Sequence, residues 1–117
     1  MVWRVDFAPG AERDFGLILE HLTQAYIALG DAPPSAVGRA IDRVREIKAS
    51  AERIGHAPGV GAARDDIGEG LRHVAFDRAI YWFTADAGAQ AVTVLAVFLA
   101  GEDHHRKMAS RLRRTRA

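Results

Sequence analysis

Residues 91–99, Ala-Val-Thr-Val-Leu-Ala-Val-Phe-Leu, are apolar at nearly every position. A run this short, β-branched and unbroken suits a strand buried on both faces, and this constrains the chain more than any other feature. Two further runs precede it. Leu71-Arg72-His73-Val74-Ala75-Phe76 and Ala79-Ile80-Tyr81-Trp82-Phe83-Thr84 are separated only by Asp77-Arg78. That spacing predicts a short hairpin, although Asp-Arg lacks the glycine such turns prefer. Three consecutive strands therefore end at a charged corner, Gly101-Glu102-Asp103-His104-His105-Arg106, which opens a final helix.

The remainder must cover this sheet. Trp3, Val5 and Phe7 alternate with Val2, Arg4 and Asp6, giving a first strand with one apolar face, ended by Pro9-Gly10. Ala11, Phe15, Ile18, Leu22, Ala25 and Leu29 then recur at helical spacing. Glu12 and Asp14 are placed in the first turn of that helix, where its dipole favours acid, and Ala8 is a poor cap. Gly30 reads as the stop and Ser35 as the N-cap of a second helix, whose buried face is Val37, Ile41, Val44, Ile47, Ala51 and Ile54. Similar lengths and a short link predict an antiparallel helical hairpin. From Gly55 to Gly70 the glycines and Pro58 indicate a loop approaching the sheet. The expected architecture is α+β, in the order β-αα-βββ-α, with the helical hairpin packed on a small, mostly antiparallel sheet.

A length of 117 residues suits one domain spanning 1–117, with a basic tail over about 109–117. The absence of cysteine excludes disulfides, thiolate catalysis and cysteine zinc sites. No apolar run is long enough to cross a membrane, and the N-terminus has no signal architecture, so a cytoplasmic protein is expected. The run from Arg106 to Arg116 carries cations and no acid. Such a run contacts nucleic acid or an acidic protein segment, or else is a solvated, frayed end. His104 and His105 are adjacent and His21, His56 and His73 scattered, so neither metal nor cofactor is expected.

Several features, in order, resemble one family. They are Ala11-Glu12-Arg13-Asp14 opening the first helix, the glycine-punctuated residues 64–72 entering the sheet, the Tyr/Trp/Phe hairpin strand, and the aliphatic strand leading into Phe98-Leu99-Ala100-Gly101-Glu102-Asp103-His104. Together they are similar to the RelE/ParE superfamily of type II toxin–antitoxin toxins, closer to the ParE (plasmid stabilisation) branch. The resemblance implies a toxin neutralised by a cognate antitoxin. ParE-like toxins block DNA gyrase, whereas RelE-like toxins are endoribonucleases that cleave mRNA on the ribosome. A degenerate module that binds its antitoxin without toxicity is a third possibility. The gyrase reading is preferred here, because the sequence departs from the RelE pattern in two places. Arg64 and Arg72 flank the acidic Asp65, Asp66 and Glu69. The C-terminal segment has Glu102-Asp103-His104-His105 where RelE toxins place an arginine and a tyrosine.

A nuclease would need cations and an acid/base gathered at one place. The candidates are Arg64, Arg72, Arg78, Tyr81, His73 and His104. Asp103 capping the last helix, with His104 packed in its first turn, is the preferred alternative for that corner. For partner binding the candidates are Arg78, Tyr81, Trp82, Phe83, Asp103, His104 and Arg106. Arg78 matches a recurring basic residue of the ParE branch and equally suits a solvated turn. Tyr81 and Phe83 share one strand face and Ile80 and Trp82 the other, so one pair is core. The other pair is exposed unless the final helix or an antitoxin covers it.

Overall fold

The computed structural model describes residues 2–116; Met1 of the N-terminus and Ala117 of the basic tail lie outside the described residues. The elements are β1 (Arg4–Phe7), α1 (Pro9–Ala28), α2 (Pro33–Ser50), α3 (Glu52–His56), β2 (Ala62–Ala63), β3 (Arg72–Phe76), β4 (Ala79–Asp86), β5 (Ala91–Leu99) and α4 (His104–Arg116). The β-αα-βββ-α order is therefore present. Two short elements are added: β2 lies inside the stretch expected as loop, whereas α3 carries the end of the expected second helix, broken off from α2 after Ser50, and runs only to His56.

The sheet runs β1-β5-β4-β3-β2, with β1 parallel to β5 and the other pairs antiparallel. Helices α1 and α2 cover one face. There Phe15, Ile18, Ile47 and Ile54 pack on Tyr81, Phe83, Val92, Val94 and Val97. Helix α4 covers the other face, where Met108 meets Leu71, Ile80, Trp82, Ala96 and Phe98, with Ile67 and Leu112 at the margin. Strand β5 is thus buried on both faces, as its apolar run requires. Pairing slips between Trp82↔Ala96 and Phe83↔Val94, which leaves Leu95 as the extra residue of a bulge.

Asp77 and Arg78 both have positive φ, 50° and 67°, the conformation of a tight two-residue hairpin turn. Neither is glycine, so the turn is held from outside. The Asp77 carbonyl accepts from Arg43 of α2, its carboxylate accepts from Ser50 Oγ at 3.2 Å, and the Arg78 carbonyl accepts from Ala100 N–H at 2.8 Å.

Helix boundaries differ from the sequence expectation in instructive ways. Helix α1 starts at Pro9, whose missing N–H is not needed there. This moves Asp14 out of the first turn and into the core. Gly30 follows the C-cap Leu29 at φ 108°, and Gly30 N–H and Asp31 N–H donate to the Ile27 and Tyr26 carbonyls, closing the helix. Leu29 itself is 79% exposed instead of buried. Ser35 is not a cap: α2 begins at Pro33 after Ala32. Its buried residues toward the N-terminus are Ala36 and Ala40, with Val37 exposed, so the buried stripe is rotated by one position. Small residues at i and i+4 let the two helices approach closely, a reason that hydrophobicity alone does not register.

Candidate functional site

The sheet has one open edge within its interior. Strand β1 pairs with β5 only from Ala91 to Val94, so residues 95–99 of β5 have no strand beside them on that side. Unpaired strand N–H groups need acceptors, and side chains supply them here. Val97 N–H donates to Asp14 Oδ2 at 2.9 Å, and Leu99 N–H donates to Glu102 Oε2 at 2.8 Å.

Each carboxylate is in turn held by a cation from α4. Arg111 donates to Asp14 through Nη1 and Nη2, both at 2.8 Å, and Lys107 donates to Glu102 Oε1 at 2.6 Å. Asp14 is 4% exposed, the one buried charged side chain of the described core. Burial would push the Glu102 carboxyl up, but the Lys107 and Leu99 hydrogen bonds outweigh it and hold the group below its ordinary range.

Above this edge lies a groove of about 690 Å³ between α1 and α4. Its floor is apolar, built from Ile18, Val97, Phe98 and Leu99, and Leu17 stands on its wall at 62% exposure. Arg106, Lys107, Arg111, Arg113 and Arg114 line it, against the carboxylates Asp14 and Glu102. The basic run expected as a tail is thus, over the described residues, a helix whose cations border this groove. Sequence reasoning did not find Asp14, Glu102 or Arg111. No local signal marks residues that lie 97 positions apart, as Asp14 and Arg111 do.

Of the nuclease candidates, Tyr81, Arg72 and Arg78 stand apart from the histidines. Tyr81 is 0% exposed under the helical hairpin and donates its hydroxyl to the Ile47 carbonyl. Burial pushes its pKa up to about 12, which disqualifies it as a base. Trp82 and Phe83 are also 0% exposed, Trp82 beneath α4 and Phe83 beneath the hairpin. In the described chain none of the three aromatics is presented to a partner. Arg72 is spent on backbone: its guanidinium donates to the Val60, Gly59 and Gly61 carbonyls at 3.2, 2.6 and 2.9 Å. Arg64 forms two 2.9 Å hydrogen bonds to Asp66. Arg78 stays exposed at the hairpin turn. Asp103 precedes α4, where its Oδ1 accepts from the Arg106 N–H at 3.3 Å and its Oδ2 pairs with Arg106 Nε at 3.3 Å.

The histidines require a correction. His73 is not isolated, because β3 carries it against the start of α4. Its ring centroid is 5.3 Å from that of His104 and 5.0 Å from that of His105, and these two are 4.1 Å apart. His104 is the first residue of α4, and its ring lies beside that of His105 instead of diverging from it. Trp82 Nε1–H donates to His104 Nδ1 at 3.1 Å.

Burial, followed by the charges of the other histidines and Arg64, holds the His73 pKa below its ordinary 6.5. Burial and His105 do the same for His104, with Asp103 and Glu102 opposing. The unfolded chain therefore takes up protons first as pH falls. These two groups' contribution to stability should be complete above pH 6.5 and be lost as pH drops below it. Denaturation midpoints measured across that range should fall, and His73→Gln should flatten the fall; an unchanged slope in the variant would refute the assignment.

No protein-family profile and no curated protein sequence matches the chain. Its shape does have counterparts. A chain of the chromosomal ParDE toxin–antitoxin system from P. aeruginosa superposes with a TM-score of 0.61 at 16% identity, covering 85% of this chain and 97% of that one. A mutant of the E. coli toxin RelE in the free state superposes with a TM-score of 0.57 at 10% identity, covering 95% and 97%. The chain has the RelE/ParE toxin fold. No helix of the described residues is long and apolar enough to cross a membrane.

Proposed function

We propose that the chain is the toxin of a type II toxin–antitoxin module, that it acts by binding DNA gyrase instead of cleaving RNA, and that a cognate antitoxin neutralises it. The observation that carries the non-enzymatic reading is the separation of Tyr81 and Arg72 from the histidine candidates. Tyr81 lies buried under one sheet face and His104 stands on the other, while Arg72 is committed to three carbonyls. A reaction centre needs its acid, base and cations about one reacting atom, and this arrangement supplies none of that around Tyr81.

The groove between α1 and α4 supports the antitoxin. It joins an apolar floor to a strand edge whose N–H groups are met by side-chain carboxylates instead of another strand, and it is rimmed by cations. An extended, acidic antitoxin segment could add to residues 95–99 by main-chain hydrogen bonds while its side chains meet α4. A flexible partner of that kind folds onto a preformed surface and bears the ordering cost on binding.

One observation favours the ribosome-dependent endoribonuclease as second reading. His73 and His104 sit together on the α4 side, close enough to Arg64 for its charge to act on both. Induction of the chain alone in bacteria separates the two. Growth arrest with a DNA-damage response and intact mRNA is expected. Discrete in-frame mRNA cuts, abolished by His104→Ala, would replace gyrase by RNA as target. Normal growth at confirmed expression would remove the toxin reading altogether.

A further inference from the structure

We infer that His73, His104 and His105 form a binding site for a zinc-class divalent transition metal ion, clamping β3 to the first turn of α4. Each imidazole offers one ligand nitrogen, and these three atoms lie within 4.8 Å of one another, the only such group among the described residues. A tetrahedral ion with bonds of about 2.0–2.1 Å sets its nitrogens roughly 3.4 Å apart. The rings must therefore close by a little over 1 Å, within reach of side-chain rotation because His105 is exposed and His73 and His104 are half-buried. Three nitrogens leave a fourth position for water. A set of imidazoles without thiolate or clustered carboxylate selects zinc, copper, nickel or cobalt over magnesium and calcium.

The surroundings suit a cation better than the basic composition of α4 suggests. The nearby Arg64, whose charge reaches both rings, has Asp66 as counter-charge through two hydrogen bonds, and Arg106 is paired with Asp103. Desolvation and mutual repulsion favour the neutral, ligating form of His73 and His104 near neutral pH, so little proton competition stands against the ion.

Trp82 is the built-in reporter. Its Nε1–H occupies the Nδ1 lone pair of His104, which places that ring's proton on Nε2. Metal at Nδ1 displaces the indole N–H directly. Metal at Nε2 moves the proton to Nδ1, where it faces the indole donor. Binding through either nitrogen breaks the Trp82–His104 hydrogen bond. The indole also lies 4.6 Å from His73, centroid to centroid, so an ion held by the rings sits within its immediate environment.

The test is titration of the untagged full chain, carrying Trp3→Phe so that Trp82 is the sole tryptophan, with zinc and cobalt chlorides. Saturable one-to-one binding is expected, with a change in Trp82 emission and a cobalt spectrum of low coordination number. His105→Ala removes an exposed side chain that the fold does not need, and should weaken binding by about tenfold or more. His73→Gln should do the same, and His56→Ala should leave binding unchanged. Absence of saturable binding would overturn the assignment. So would binding that survives His105→Ala and His73→Gln, or that His56→Ala weakens equally.

Discussion

Asp14→Ala is expected to destabilise the fold by ~3 kcal/mol or more, the range for removing one partner of a buried ion pair. Asp14 serves two elements at once: its carboxylate takes both Arg111 nitrogens at 2.8 Å and the Val97 N–H at 2.9 Å. Without it the Arg111 side chain, 26% exposed, loses both of these hydrogen bonds, and the β5 edge loses an acceptor. An unmet buried N–H alone costs about 1–3 kcal/mol. Chemical denaturation midpoints give the size of the effect, and hydrogen exchange should locate it in α4 and residues 95–99. Arg111→Ala in the same background should cost much less than in the wild type, by a coupling of roughly 0.5–3 kcal/mol. Additive losses from the two substitutions would show that the pair is not a unit.

Trp82→Ala should be as damaging, at ~3–5 kcal/mol. The indole is fully buried between β3, β4 and α4, and is the largest side chain of the second core cluster. Its removal leaves a cavity under Met108 and deletes the hydrogen bond to His104. Set against a total stability of about 5–15 kcal/mol for a domain, the variant should hold α4 loosely or unfold. Trp82→Phe keeps most of the apolar contact and should lie well between the two. A midpoint for Trp82→Ala near that of the wild type would mean that α4 is not packed there in solution.

Both substitutions act through α4, and so bear on the proposed partner groove. Its wall is held to the sheet by the Asp14–Arg111 and Glu102–Lys107 pairs and by the Trp82 cluster. A partner strand competing for the Val97 and Leu99 N–H groups would have to release both carboxylates. The groove therefore trades internal hydrogen bonds for external ones, which keeps its affinity dependent on the partner's sequence.

Much of the fold was legible along the chain because it is written in short-range periodicity. The apolar run 91–99 required a doubly covered strand, and β5 is one. The two-residue link at Asp77-Arg78 required a tight turn, and both residues adopt positive φ despite the missing glycine. The split of Tyr81 and Phe83 from Ile80 and Trp82 held across the bulge, with α4 supplying the second cover. Helix starts were less legible, since prolines at the first positions of α1 and α2 replaced the hydroxyl cap expected at Ser35.

Strands, helices and the inward alternation of side chains depend on neighbours a few residues away, so they could be read along the chain. Which distant groups meet depended on how those elements pack. The parallel docking of a short β1 leaves the far half of β5 without a strand on its outer side, and there Asp14 and Glu102, held by Arg111 and Lys107, take the strand's N–H groups. The packing of α4 on β3 likewise turned a lone His73 and a His104-His105 pair into one cluster. Such meetings are set by the closing of the chain over long loops, for which burial of the whole core, and no local preference, provides the driving force.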